Sequence, residues 1–310
     1  MRKEEKRAAI AERVEPVPVI VDTRCGPVEY AEFGDGPAVV ALHGAMGGYD
    51  HSLLLARTIG AAGFRYIAVS RPGYLGSPLG SRKSPAQQAD LCAALLDALG
   101  VPSAAVMAVS GGGPCALHFA MRHRERCGGL VLASTCGQRN VTPIPFSFHL
   151  MRFLVRWPAF ERSMRKKALA NIGAAAARSI ADPAVLAHTM EDSEAGPLFT
   201  ELLMSTCDRM AERMPGTEND IAVTRTTDYP LEEVAVPALV IHGTADRLAP
   251  FSPHATALSS RIPGAELLAL EGGEHVAIFT HLQEVRPRVA RFLRERALSG
   301  SGAAGSAAVI

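Results

Sequence analysis

At 310 residues the chain is long enough for about two domains of roughly 150 residues each, and can bury about 75% of the surface its unfolded form exposes. Hydrophobic residues make up 48% and charged residues 20%, the balance of an ordinary globular protein, which argues against disorder. With 32 Lys and Arg against 31 Asp and Glu, the formal net charge of +1 gives no electrostatic reason to expect nucleic acid or an acidic membrane surface as partner.

A charged leader occupies residues 1–16. It lacks the apolar core of a signal peptide, so a cytoplasmic location is expected. Residues 17–23 and 27–33 read as two strands joined by a turn at Cys25 and Gly26, and 38–42 is a short apolar run typical of a strand buried on both faces. Helical periodicity follows over 51–63, then an apolar run at 64–70. A second helix at 87–99 places Leu91, Leu95, Leu96 and Leu99 on one stripe. Residues 98–121 carry no Asp, Glu, Lys or Arg, long enough to span a bilayer, but Gly100, Pro102, the Gly111–Gly113 run and Pro114 break it into a strand (104–109), a turn and a helix (114–126). A strand at 130–134 precedes residues 137–229, which lack apolar strand runs and carry helix formers at 162–177, 183–191 and 198–213. Six of the ten methionines and the only tryptophan, Trp157, lie there. The segment reads as a helical insertion over the sheet, its methionines filling its own core in preference to lining a ligand site. Strands return at 238–241 and 266–270, and an amphipathic helix at 281–298 precedes a Gly-, Ser- and Ala-rich flexible tail, 299–310. Strands alternating with helices imply an α/β fold with a parallel sheet covered on both faces. The cysteines, at 25, 92, 115, 127, 136 and 207, include no CxxC pair and read as reduced thiols, Cys115 facing inward.

Three kinds of loop after predicted strands carry chemistry. Ser110 lies between the strand at 104–109 and a helix, with Ala108 and Gly112 two residues to either side. Small neighbours there suit a sharp turn that exposes a nucleophilic hydroxyl and frees the N–H of Gly111 for a developing oxyanion. A glycine-rich phosphate loop is the rival reading, but it lacks the lysine of a P-loop and the spacing of a dinucleotide fingerprint. The loop His43-Gly44-Ala45-Met46-Gly47 follows the strand at 38–42. Ala45 is the candidate second oxyanion donor, while His43 and Gly44 support the loop. Asp246 ends the strand region around 238–241, and His275 follows the strand at 266–270. A serine needs a base to take its proton and an acid to fix the base's tautomer, and the order Ser110, Asp246, His275 meets both needs. Glu274 is the rival acid, but its adjacency to His275 makes a well-oriented bond awkward. Asp50 or Ser52 is expected near the cap of the following helix, His242 to support the acid loop, and the remaining histidines to have structural roles.

These segments, together with Ser70-Arg71-Pro72-Gly73-Tyr74, resemble the α/β-hydrolase fold superfamily, in its capped serine-hydrolase branch, over roughly residues 17–298. The resemblance implies a mostly parallel eight-stranded sheet flanked by helices, with a helical cap (137–229) inserted after the sixth strand between core segments 17–136 and 230–298. It also implies an acyl-enzyme route through Ser110, His275 and Asp246. Ala108 and Ser70 depart from the usual glycine and aspartate. No cofactor-binding or metal-ligand signature appears, and none is needed. The expected activity is cleavage of a small or medium apolar carboxylic ester. Carbon–carbon bond hydrolysis, thioester or lactone cleavage and cofactor-free perhydrolysis use the same residues, and a small-molecule receptor on the same scaffold is a reading from a different class.

Overall fold

The computed structural model describes residues 16–297; the tail and all of the leader except Pro16 lie outside the described residues. Eight strands are formed in chain order: β1 (Val19–Thr23), β2 (Gly26–Phe33), β3 (Ala38–Leu42), β4 (Arg65–Val69), β5 (Ala104–Val109), β6 (Cys127–Ala133), β7 (Ala238–Gly243) and β8 (Glu266–Leu270). They make one sheet in the order β1-β2-β4-β3-β5-β6-β7-β8. The β1–β2 and β2–β4 pairs are antiparallel, and every other pair is parallel.

The apolar runs of the central strands are explained by two cores. Val40, Leu42, Val106, Leu132 and Val240 face one of them, while Val39, Ala41, Met107, Val131, Leu239 and Ile241 face the other. Successive residues point to opposite faces, so a strand buried on both has no polar positions to spare. The first core is closed by α2 (Pro85–Ala98), α3 (Gly113–Arg122) and α10 (Phe251–Arg261), through residues such as Leu95, Phe119 and Leu258. The second is closed by α1 (Tyr49–Ile59) and α12 (Leu282–Phe292), through Leu54, Ile59, Val285 and Phe292. A reciprocal capping box between Ser84 and Gln87, with Pro85 in the first turn, starts α2 two residues before its leucine stripe suggests.

Between β6 and β7 lie six helices: α4 (Phe146–Leu154), α5 (Pro158–Ala170), α6 (Ile172–Ala176), α7 (Pro183–Glu191), α8 (Ala195–Thr206) and α9 (Met210–Thr226). Two of the expected helices prove to be broken. Residues 162–177 are interrupted at Asn171, whose side chain accepts from Ala174 N and restarts the chain as α6. Residues 198–213 are interrupted before Arg209, which takes a left-handed φ of 52°. There the Glu161 carboxylate accepts from the amides of Arg209 and Met210 and caps α9. The expected helix at 114–126 stops at Arg122, and the last one divides into α11 (Ala277–Thr280) and α12, with His281 between them.

Helix α9 itself runs through Pro215, where a proline and a following glycine would ordinarily mark an end. Its ladder opens at that point and a neighbouring turn fills the gap. Gly216 N donates to Gly73 O at 2.9 Å, and Leu75 N donates to Glu212 O at 3.1 Å. The groups released by proline are therefore satisfied by the turn after β4. A side chain at 216 would collide with the Tyr74 ring, so glycine is required by the closeness of the approach. Met151, Met164, Met210 and Met214 gather with Met46, Phe148, Val155 and Phe160 in a cluster of their own.

Candidate functional site

Parallel strands deliver their following loops to the same edge of the sheet, and the loops after β3, β5, β7 and β8 meet there. Ser110 follows β5 directly with a left-handed φ of 51°, a conformation costing on the order of 1–3 kcal/mol for a non-glycine residue. The surroundings enforce it. Ala108 is wholly buried between Leu42 of β3 and Leu132 of β6, which explains why a residue no larger than alanine occupies this position. A Cβ on Gly112 would stand 2.7 Å from the Leu42 carbonyl oxygen, and one on Gly44 would stand 3.0 Å from Ser110 Cβ. The Thr135 hydroxyl donates to Ser110 O at 2.5 Å and holds the turn from the β6 side.

Ser110 Oγ lies 3.0 Å from His275 Nε2, and His275 Nδ1 lies 2.8 Å from Asp246 Oδ2. With Nδ1–H donating to the carboxylate, Nε2 is left to accept the serine proton. Burial by itself would raise the Asp246 carboxyl, yet hydrogen bonds from His242 and His275 and the amide of Ala249 hold it well below the usual carboxylate range. Its other oxygen accepts from Leu248 N and Ala249 N at 2.8 and 2.9 Å, so the acid also shapes the loop that presents it. His242 approaches the same carboxylate at 3.4 Å and donates to Ala249 O at 2.7 Å. Glu274 is turned elsewhere, accepting from Ala181 N at 2.5 Å.

The loop after β3 is braced by His43. Its Nε2 accepts from Arg71 N at 3.0 Å, which places the ring proton on Nδ1, donating to Gly44 O at 2.6 Å. Burial, with Arg71 beside it, pushes the pKa of His43 well down and keeps the ring neutral. Met46 takes a φ of 57° and its amide donates to Thr217 Oγ1 of α9 at 2.9 Å. Among the described residues, the backbone N–H groups of Ala45 and Gly111 donate no hydrogen bond, and both residues line the same cavity as Ser110. Asp50 makes no capping bond. It sits in the first turn of α1 and pairs with the buried Arg213 of α9, while Ser52 receives His43 N and donates to Val69 O.

Asp220 of α9 was not evident from sequence. It is buried and accepts two bonds from Arg71, at 2.8 and 2.5 Å, and one from Tyr74 OH at 2.6 Å. Its Oδ2 stands 2.5 Å from where a Cβ on Gly111 would be, so glycine there makes room for the carboxylate. The available signal was the spacing of Arg213, Thr217 and Asp220, which share one helical face, but the Pro215-Gly216 pair disguised the helix. At position 70, Ser70 Oγ donates to the buried Glu29 carboxylate at 2.7 Å, so a carboxylate reaches this region from β2.

The cavity over Ser110 has a volume of about 380 Å³. Its walls include Leu54, Leu202, Ile221, Leu248, Ile278 and Phe279, and among the described residues lining it none is Lys, Arg or Met. Asp220 is the sole carboxylate among them. His51 also lines it, bonded to Ser205 Oγ at 2.8 Å, with its pKa pushed down to about 4 by burial. Of the residues singled out from sequence, Gly44, Ala45, Ser110, Gly111 and His275 line this one cavity, with Asp246 buried behind His275 and His43 behind the loop.

Comparison with known proteins finds a match to the alpha/beta hydrolase fold family over residues 37–282. A 2-hydroxy-6-oxononadienedioate/2-hydroxy-6-oxononatrienedioate hydrolase from Burkholderia vietnamiensis is 29% identical over 285 residues, covering 86% of this chain and 91% of that protein. A similarly named protein from Dechloromonas aromatica is 30% identical over 284 residues, covering 86% and 90%. Among solved structures, an alpha/beta hydrolase fold protein from Nakamurella multipartita superposes with a TM-score of 0.76 at 31% identity, covering 92% of this chain and all of that one.

Proposed function

The chain belongs to the alpha/beta hydrolase fold family and is a hydrolase, and from that premise we propose that it cleaves carboxylic esters of small or medium apolar substrates through an acyl-enzyme. The observation carrying this reading is the continuous relay from Ser110 Oγ to His275 to Asp246, at 3.0 and 2.8 Å, opening into an apolar cavity. Ser110 Oγ attacks the ester carbonyl carbon as its proton passes to His275 Nε2. Asp246 stabilises the resulting imidazolium, and the tetrahedral oxyanion receives the N–H groups of Ala45 and Gly111. Collapse expels the alkoxide, which leaves as alcohol with the proton from Nε2. Water then gives a proton to Nε2 and attacks the acyl carbon, releasing the acid and restoring Ser110. The helices between β6 and β7 act as a cap: Leu202 and Ile221 supply wall residues that select the acyl or alkyl group.

A second reading is supported by the relatives named for 2-hydroxy-6-oxononadienedioate, by its name a dicarboxylate. The same three residues would then break a carbon–carbon bond. The cavity favours the ester. A dianion needs cationic partners in an apolar pocket, yet no Lys or Arg among the described residues lines this one, and the buried Arg71 guanidinium is already taken by Asp220. The test is turnover of a p-nitrophenyl ester series from two to twelve acyl carbons beside a vinylogous diketone dicarboxylate. Multiple turnover of the esters with a chain-length optimum is expected. Efficient cleavage of the diketone with near-inert esters would overturn the assignment.

A further inference from the structure

Helix α4 is apolar on two opposite faces. Its inner face presents Phe148, Met151 and Val155 to the methionine cluster. The opposite stripe, continued into the first residue before α5, presents Phe146, Leu150, Phe153 and Trp157, which are 82%, 50%, 54% and 48% exposed. The spacing of four, three and four residues aligns these side chains, and the Phe153 and Trp157 rings touch edge-on with centroids 4.8 Å apart. An amphipathic helix needs only one apolar face to join a core, and monomeric proteins rarely expose a contiguous row of large apolar side chains unless it meets a partner. No helix among the described residues is long and apolar enough to cross a membrane.

The segment that carries the row is rich in cations. Residues 146–170 hold six cations and one acid, Glu161, within a chain whose total charge is only +1. Glu161 is turned inward to cap α9. Arg152 and Arg165 have acidic partners in Glu218 and Asp208. Arg162, Lys166 and Lys167 are exposed and enter no ion pair among the described residues. Arg156 lies over the Phe153 ring, 5.9 Å from its centroid. Arg162 and Lys166 project from the side of α5 opposite its packed residues Phe160, Met164 and Ala168.

We propose that the outer face of α4, with the cations of α5, docks the protein on an anionic lipid bilayer. Phe146, Leu150, Phe153 and Trp157 enter the boundary between headgroups and acyl chains, while Arg162 and Lys166 meet the phosphates. This is the division of labour of amphipathic helices that lie in a membrane interface. A second copy of the chain is a poorer occupant, because a contact of this face with itself would enclose Arg156 of both copies with no acid in residues 146–157 to pair them. The inference stands apart from the proposed chemistry and requires no turnover.

Trp157 is the only tryptophan, so intrinsic fluorescence reports the face directly. The full chain is titrated with phosphatidylcholine vesicles containing 30% phosphatidylglycerol, and with pure phosphatidylcholine. A blue shift of Trp157 emission and co-sedimentation are expected with the anionic vesicles, with much weaker binding to the neutral ones. Arg162→Gln and Lys166→Gln should each weaken binding about fivefold, and Leu150→Ser with Phe153→Ser should abolish both signals. All four positions are exposed, and an unchanged melting temperature certifies the fold of each variant. Unshifted emission without co-sedimentation overturns the proposal, as does equal binding to neutral vesicles. A concentration-dependent dimer disrupted by Leu150→Ser, in the absence of vesicle binding, would assign the face to a second copy instead.

Discussion

The proposed role of Asp246 as the acid of the relay rests on where its two oxygens go. One Asp246 oxygen is fixed by the amides of Leu248 and Ala249, leaving the other to face His275. Glu274 is adjacent to His275 in sequence but points to the backbone of Ala181. Replacing Asp246 by Asn should therefore lower kcat by about 10⁴-fold by spoiling the tautomer of His275. Glu274→Gln should leave kcat within about threefold, because it touches neither reacting atom nor base. Steady-state kinetics of the two variants distinguishes them, and a large loss in Glu274→Gln with a small one in Asp246→Asn would reverse the roles. Ser110, Asp246 and His275 were legible because each follows an apolar strand run, and a parallel sheet sends such positions to one edge. Asp220 was not legible, since its partners Arg71 and Tyr74 are almost 150 residues away and no local pattern announces them.

At the scale of the element, α9 is fastened to the core at three successive positions of one face. Arg213 pairs with Asp50, Thr217 receives the Met46 amide, and Asp220 is gripped by Arg71 and Tyr74. This helix is a fixed wall of the site and holds the loop that carries Ala45. Breaking a buried pair from one side leaves the other charge without compensation, at a cost of about 3–5 kcal/mol. Asp220→Asn should show that loss in urea unfolding, with little change in the slope against denaturant. A loss below about 1 kcal/mol would mean that the pair does not anchor the helix. The core helices could be read from sequence because their apolar stripes are simple. The helices between β6 and β7 resisted reading because their breaks arise from long-range partners: Glu161 capping α9, and the Gly73–Leu75 turn replacing the bonds lost at Pro215.

Across the whole molecule, several histidines are folded in the neutral form. Burial pushes His51 and His254 down to about 4, and pushes His43 well below its ordinary value. The unfolded chain protonates these rings near pH 6.5, whereas the folded chain resists until about pH 4 for His51 and His254. In that window the unfolded state binds more protons, so stability present above pH 6.5 is lost as pH falls, by about 1.4 kcal/mol per unit for each ring. Melting temperature should decline from pH 6.5 to 4.5, and His254→Gln should make the decline shallower. A flat profile would contradict the burial of neutral rings. Overall charge was readable from composition, but which cations stay unpaired was not, because pairs such as Arg152 with Glu218 and Arg165 with Asp208 join segments distant in sequence.

The central claim is that Ser110 carries the acyl group. The most direct measurement is mass spectrometry of the full chain after rapid mixing with a p-nitrophenyl ester, followed by acid quench and peptide mapping, for the wild type beside Ser110→Ala. An acyl adduct on the peptide containing Ser110, absent from an equally stable Ser110→Ala variant that has lost turnover, is the predicted result. Undiminished turnover in that variant, or an adduct mapped to another residue, would contradict it.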